Sequence, residues 1–198
     1  MTPTSPTIGS EAPGALLAAR RGTALFSRAL QELTDPALDE PSTTKGRSRR
    51  DVVAYTGYHA RRMSALVARA RSSSAGLRWE PPTTAEVDYG ATLSASALRN
   101  LHEHSVAHLN VEWRDLDPRA WRRPVDSAVG PLTLVELVWD RAHTVWFGAA
   151  HLRIHFDERV IPDEVRLRLT SEARDRLAAQ GGQGIQLPAV RARAGAHR

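Results

Sequence analysis

Apolar residues recur every three or four positions in four stretches of this 198-residue chain, and that period predicts helices. Over about 14–33, Leu16, Ala19, Thr23, Phe26, Leu30 and Leu33 form one stripe. It stops at "LTDPALDEPS", where two prolines and several acidic residues mark a loop. A second helix opens after Ser48, an N-cap with Asp51 three residues on, in a variant of the capping box. It runs to about Ser72, with Val52, Thr56, His59, Met63 and Leu66 along one side. "SAGLRWEPPTTAEVDYGATL" reads as a long connection, because Pro81–Pro82 forbids helix there. A third helix over about 94–114 carries Leu98, His102, Val106, Leu109 and Trp113. After the loop "DLDPRAWRRPVDSAVGP", a fourth spans about 132–151, and a shorter one is expected after Pro162, where "PDE" supplies proline and acids. "QGGQGIQLPAVRARAGAHR" reads as a flexible or partly extended tail. The pattern predicts an all-α fold: a four-helix bundle with crossover loops and an additional C-terminal helix. Residues 1–13 are expected to be a disordered lead, 14–152 the bundle, and 153–198 the short helix and tail.

Composition narrows the function classes. An apolar share of 41% suits a soluble globular chain, and no apolar run approaches membrane-spanning length. "MTPTSPTIGSEAPG" lacks the basic and apolar segments of a secretory signal, so cytoplasmic residence is expected. With no cysteine, disulfides, thiolate nucleophiles and cysteine metal sites are excluded, and any thiol chemistry needs a thiol from outside. The net charge of +5 invites a nucleic-acid reading. The detail argues against it: Lys45 is the sole lysine, the arginines are scattered among alanines and acids, and no zinc-finger spacing or RNP-like motif appears.

Two segments carry candidate chemistry. In "DVVAYTGYHARRM", Tyr55 and His59 are four apart and stack on one helical face. In "VWDRAHTVWFGAAHL", Arg141, Thr144, Gly148 and His151 recur at three- and four-residue spacing within an otherwise apolar helix. Bundle interiors build sites from polar residues on facing helices, because rigid helices hold groups close with little entropy left to lose. Together these residues would supply a phenol, two imidazoles and a guanidinium, which are donors for an anion and candidate general acids or bases. Taken singly, each also reads as a satisfied interior polar group. Gly148 tips the balance, since glycine within a helix costs about 1 kcal/mol relative to alanine and needs a reason such as close contact or room for a ligand. A third cluster, "LHEHSVAH", sets His104 and His108 at metal-ligand spacing, but His104 falls on the solvent side and His102 on the apolar side.

Whole segments of the chain resemble a known family. "LTDPALDEPSTTKGRSRRDVVAYTGYHARRMSALVARAR", "AHLNVEWRDLDPRAWRRPV" and "VELVWDRAHTVWFGAAHL" are similar, in order and spacing, to the mycothiol-dependent maleylpyruvate isomerase family of the DinB-like helical bundles. The resemblance covers about 15–152 and implies a DinB-like bundle. In that family a divalent metal, usually zinc, is held by a second-helix histidine and by a glutamate and histidine four apart on the fourth. Three ligands leave the metal open to activate an external thiol, which adds to a cis-alkene and leaves after rotation.

Carried over by position, the second-helix histidine falls on Tyr55, the glutamate on Thr144 and the second histidine on Gly148. A following aspartate falls on His151, while Trp139 and Arg141 match the family's tryptophan and arginine. The triad is therefore missing, and the expectation is no metal and no cofactor, with mycothiol use unsupported. The small C-terminal α/β domain often found in the family is expected to be absent or reduced, as 46 residues follow Leu152. The favoured reading is a metal-independent isomerase, cyclase or transferase acting on a small anionic or specialised-metabolite substrate. Tyr55, His59 and His151 would be catalytic, and Arg141, Thr144, Gly148 and Trp139 would bind substrate. The alternatives are a non-catalytic bundle that binds a ligand or partner, and, behind both, the family's metal- and thiol-dependent chemistry. A homodimer is the expected assembly if an apolar face is exposed.

Overall fold

The computed structural model describes residues 8–72, 76–152, 158–163 and 165–167. Five α-helices dominate: α1 (Ile8–Glu32), α2 (Arg49–Ser72), α3 (Thr84–Ala91), α4 (Ala95–Arg114) and α5 (Leu134–His151). The main pairings are α1 with α5 and α2 with α4, while α2 also meets α5 and α3. The four long helices form the expected DinB-like bundle, and α3 is part of the crossover between α2 and α4.

The stripes read from the sequence face inward. Ala19, Phe26 and Leu30 of α1 and Leu33 directly after it are buried, as are Met63 and Leu66 of α2 and Leu98 and Leu109 of α4. The contact between α1 and α5 depends on Gly22. A Cβ there would stand 2.6 Å from Val145 and 2.7 Å from Trp146, closer than side chains tolerate. Trp146 completes that seam by donating its indole N–H to the Ala18 carbonyl at 3.0 Å. A buried indole nitrogen that finds an acceptor lets the ring fill the core without an unmet polar atom.

Helix starts follow capping chemistry. Before α2, Ser48 Oγ and its backbone N–H both donate to Asp51 Oδ2, at 2.6 and 2.8 Å. Full capping boxes open α3 (Thr83 with Glu86) and α5 (Thr133 with Glu136). The box before α3 corrects the reading of residues 74–93 as one long connection: helix-forbidding Pro81–Pro82 lie just ahead of Thr83, and the chain turns helical directly after the cap. The first helix also begins at Ile8, inside the expected lead, and carries Pro13 within it. Proline there removes one backbone donor near the start of a long helix, a loss that the rest of α1 tolerates.

A short hairpin, β1 (Pro124–Val125) and β2 (Leu132–Thr133), precedes α5. It is tied to the strap before α3 by backbone bonds from Trp79 to Asp126 (2.8 Å) and from Asp126 to Leu77 (2.9 Å). Those bonds fix Trp79 over the bundle, where it enters the site described next. After Pro162, residue 163 and residues 165–167 are helical, with Arg166 N–H donating to the Pro162 carbonyl at 2.9 Å. The expected tail lies outside the described residues.

Candidate functional site between α2 and α5

Two adjacent turns of α2 meet two turns of α5. His59 lies on α2 four residues after Tyr55, so the two rings share a face, with centroids 5.9 Å apart. Across the seam, His59 Nε2–H donates to Asp140 Oδ2 at 3.0 Å. The imidazole is fully buried, whereas the Asp140 side chain keeps 20% exposure. Trp79, held by its backbone bonds to the hairpin, closes over His59 edge-on, with ring centroids 5.0 Å apart. A carboxylate on one ring nitrogen fixes the tautomer: the proton stays on Nε2 and the lone pair is on Nδ1.

Arg141, next to Asp140 on α5, is completely buried. Its Nη1 donates to the Thr56 carbonyl at 2.7 Å. Its Nε and Nη2 make no hydrogen bond among the described residues. Burial pulls the guanidinium down to about 9, against the opposing pull of Asp140 and Tyr55, so it is still charged at neutral pH. A charged group with two unmet donor nitrogens in a protein interior is a costly arrangement.

One turn further on, Thr144 is buried and donates its hydroxyl to the Asp140 carbonyl of its own helix at 3.0 Å. Gly148 faces α1 and α2. A Cβ there would stand 3.0 Å from the Phe26 ring and 3.3 Å from Thr56 Oγ1, so the Phe26 side chain occupies the space beside the glycine. Trp139 is buried within the apolar core cluster.

His151 stands apart from the other expected site residues. It ends α5, ten residues beyond Arg141, or about 15 Å along the axis at 1.5 Å per residue. There its Nδ1 contacts the Thr43 hydroxyl, and its carbonyl accepts from the Thr43 backbone N–H at 3.4 Å. Burial pushes its imidazole down to about 4. A shared helical stripe gives a shared face and not a shared depth, so His151 secures the loop before α2 instead of joining His59. The pairing of Tyr55 and His59 with Arg141 and His151 is corrected to Tyr55 and His59 with Asp140 and Arg141.

Asp140 and Trp79 were absent from the residues picked out by pattern. Asp140 is four residues before Thr144 and so shares the spacing signal of the stripe that Arg141, Thr144, Gly148 and His151 form. Trp79 sits in a connection, where periodicity carries no information. His102 is buried as its place on the apolar stripe predicts, and His104 is exposed.

Residues 19–152 match the family described as the mycothiol maleylpyruvate isomerase N-terminal domain. The chain belongs to this family. Similar solved structures are crystal structures of the mycothiol-dependent maleylpyruvate isomerase and of a histidine-to-alanine mutant of it. Each is 32% identical with a TM-score of 0.76, over 86% of this chain and 72% of the other. No curated protein sequence matches at a comparable level.

The maleylpyruvate isomerase resemblance put metal ligands at Tyr55, Thr144 and Gly148, and the side chains present do not fit a metal there. Thr144 spends its hydroxyl on its own helix, Gly148 offers no donor, and Phe26 fills the space beside it. Among the described residues, no group of three or more His, Asp or Glu side chains is arranged to hold an ion. Across the same seam stands a buried imidazole paired with the part-exposed Asp140 carboxylate, beside a buried guanidinium.

Proposed function

We propose that this family member is a metal-independent enzyme of isomerase, cyclase or transferase type, acting on a small anionic substrate, such as a specialised metabolite, in the bundle interior. The observation that carries this reading is the His59–Asp140 pair set beside the unmet edge of Arg141. Asp140 orients the His59 imidazole and stabilises its protonated form, so that Nδ1 can take and return a proton. Arg141 neutralises the anionic group of the substrate, and Tyr55, half-buried beside His59, serves as a second proton donor. Such proton transfer contributes roughly 10²–10⁴-fold in rate. It would replace the role of the metal and thiol that the family resemblance implies.

A second reading is favoured by a separate observation. His59 and Arg141 are both fully buried, and Phe26 fills the space beside Gly148. That packing suits a bundle that binds a ligand or partner without turning it over.

Deuterium exchange separates the two readings. The purified chain is incubated in D2O with EDTA and with pyruvate or longer 2-oxo acids, and loss of the acidic C–H signal is followed by proton NMR. The enzymatic reading expects exchange that survives EDTA and falls about 100-fold in His59→Asn and Asp140→Asn. Ligand binding without any exchange supports the binding reading, and exchange unaffected by either substitution excludes the pair.

A further inference from the structure

We propose that Arg141 of α5, His102 of α4 and Ser27 of α1 form an interior site for a single carboxylate group. The inference deepens the reading above and rests on it for the role of Arg141.

The shape of what is unmet selects the ligand. The two nitrogens of Arg141 without partners, Nε and Nη2, form one edge of the guanidinium, and Nη1 on the other side is taken by the Thr56 carbonyl. That edge presents two parallel N–H groups, the geometry that receives both oxygens of a carboxylate at once. His102 adds a third unmet atom. Its Nε2 lies 2.8 Å from Ser27 Oγ, while its Nδ1 is buried and without a hydrogen-bond partner among the described residues. With the Ser27 hydroxyl donating to Nε2, the ring proton is on Nδ1, and His102 becomes a donor.

The imidazole is held neutral. Burial, and then the charge of nearby Arg141, push it down to about 3. One guanidinium, one neutral imidazole and the Asp140 carboxylate that acts on Arg141 leave no surplus positive charge, which suits a monoanion better than a dianion. Phe26 packs against His102 with ring centroids 4.9 Å apart and also meets Gly148, so the wall beside the layer is apolar. The ligand class is therefore a monocarboxylate with an apolar remainder, held by three donors from two helices while Ser27 on a third sets the tautomer.

The test uses the full chain with benzoate, acetate and the uncharged isostere benzamide, at constant ionic strength. Thermal shift measures binding, and ¹⁵N-histidine NMR reports the His102 ring. Saturable stabilisation by benzoate and not benzamide is expected, with a shift of the His102 ring nitrogens. Arg141→Lys, which keeps the charge and loses the two-pronged edge, should weaken benzoate at least tenfold. Arg141→Met should abolish it, and His102→Gln should weaken it severalfold without refolding failure, checked by the unliganded spectrum. Equal effects of benzoate and benzamide, binding retained in Arg141→Met, or no benzoate or acetate response in the folded wild type would each overturn the proposal. The last result would assign the unmet atoms to buried water. The two readings fail separately: His59→Asn should keep benzoate binding while losing deuterium exchange. Exchange without carboxylate binding would leave the acid–base reading standing and remove this one.

Discussion

Lowering the pH from 7 to 5 tests how this bundle carries its buried histidines. His102 is held down to about 3 and His151 to about 4, from an ordinary 6.5, chiefly by burial. In the unfolded chain both imidazoles take up protons as the pH falls through 6.5, whereas in the fold neither does so until well below 5. The unfolded state therefore binds more protons across that window, and stability falls as the solution is acidified. Each residue accounts for a loss of about 2 kcal/mol between pH 7 and 5, so the two together cost about 4 kcal/mol. Against a typical total of about 5–15 kcal/mol, that is a large share. Urea unfolding followed by tryptophan fluorescence reads the change directly, since Trp139 and Trp146 are buried. The decisive comparison is with His102→Gln, in which the acid-induced loss should shrink by about 2 kcal/mol. His151→Gln should shrink it by a similar amount. A His102→Gln protein that loses as much stability as the wild type would refute the assignment of a neutral, buried His102.

Other substitutions probe separate parts of the account. Gly22→Ala should destabilise by about 1–3 kcal/mol, because its Cβ would meet Val145 and Trp146 at under 3 Å; denaturant midpoints measure this, and an unchanged midpoint would contradict the close α1–α5 approach. Arg141→Met should raise the stability of the unliganded chain by about 1–4 kcal/mol, as it removes a buried charge two of whose nitrogens have no hydrogen-bond partner among the described residues; a loss in thermal or urea unfolding would count against Nε and Nη2 being unmet. Thr133→Ala should cost about 1 kcal/mol by removing the cap of α5, with Glu136 unable to compensate alone.

The long helices were legible because each buries one face, and burial writes a 3.6-residue period into Phe26, Leu30, Met63, Leu66, Leu98 and Leu109. Caps were legible where the residue pair stood clear, as at Ser48 and Asp51. The Thr83–Glu86 box was equally present, but two prolines directly before it masked the helix that follows. The site was readable by face and not by depth. Periodicity placed Tyr55, His59 and Arg141 correctly on inward or seam positions, yet it could not tell that His151 ends α5 some three turns away. Nor could it pair His59 with Asp140, because that contact is set by how α2 and α5 are offset along each other. The resemblance supplied what periodicity lacked at Thr144 and Gly148, where the absence of ligand side chains is visible only against the family pattern. The structure then shows that Phe26 fills the space.

We propose that this maleylpyruvate isomerase family member works without a metal. Zinc titration of the purified, chelator-treated chain by calorimetry tests it most directly, with Tyr55→Phe and Thr144→Ala measured alongside. The account predicts no one-to-one binding in the micromolar range or tighter, and identical traces for the two variants. Stoichiometric zinc binding that is lost on changing Tyr55 or Thr144 would contradict it.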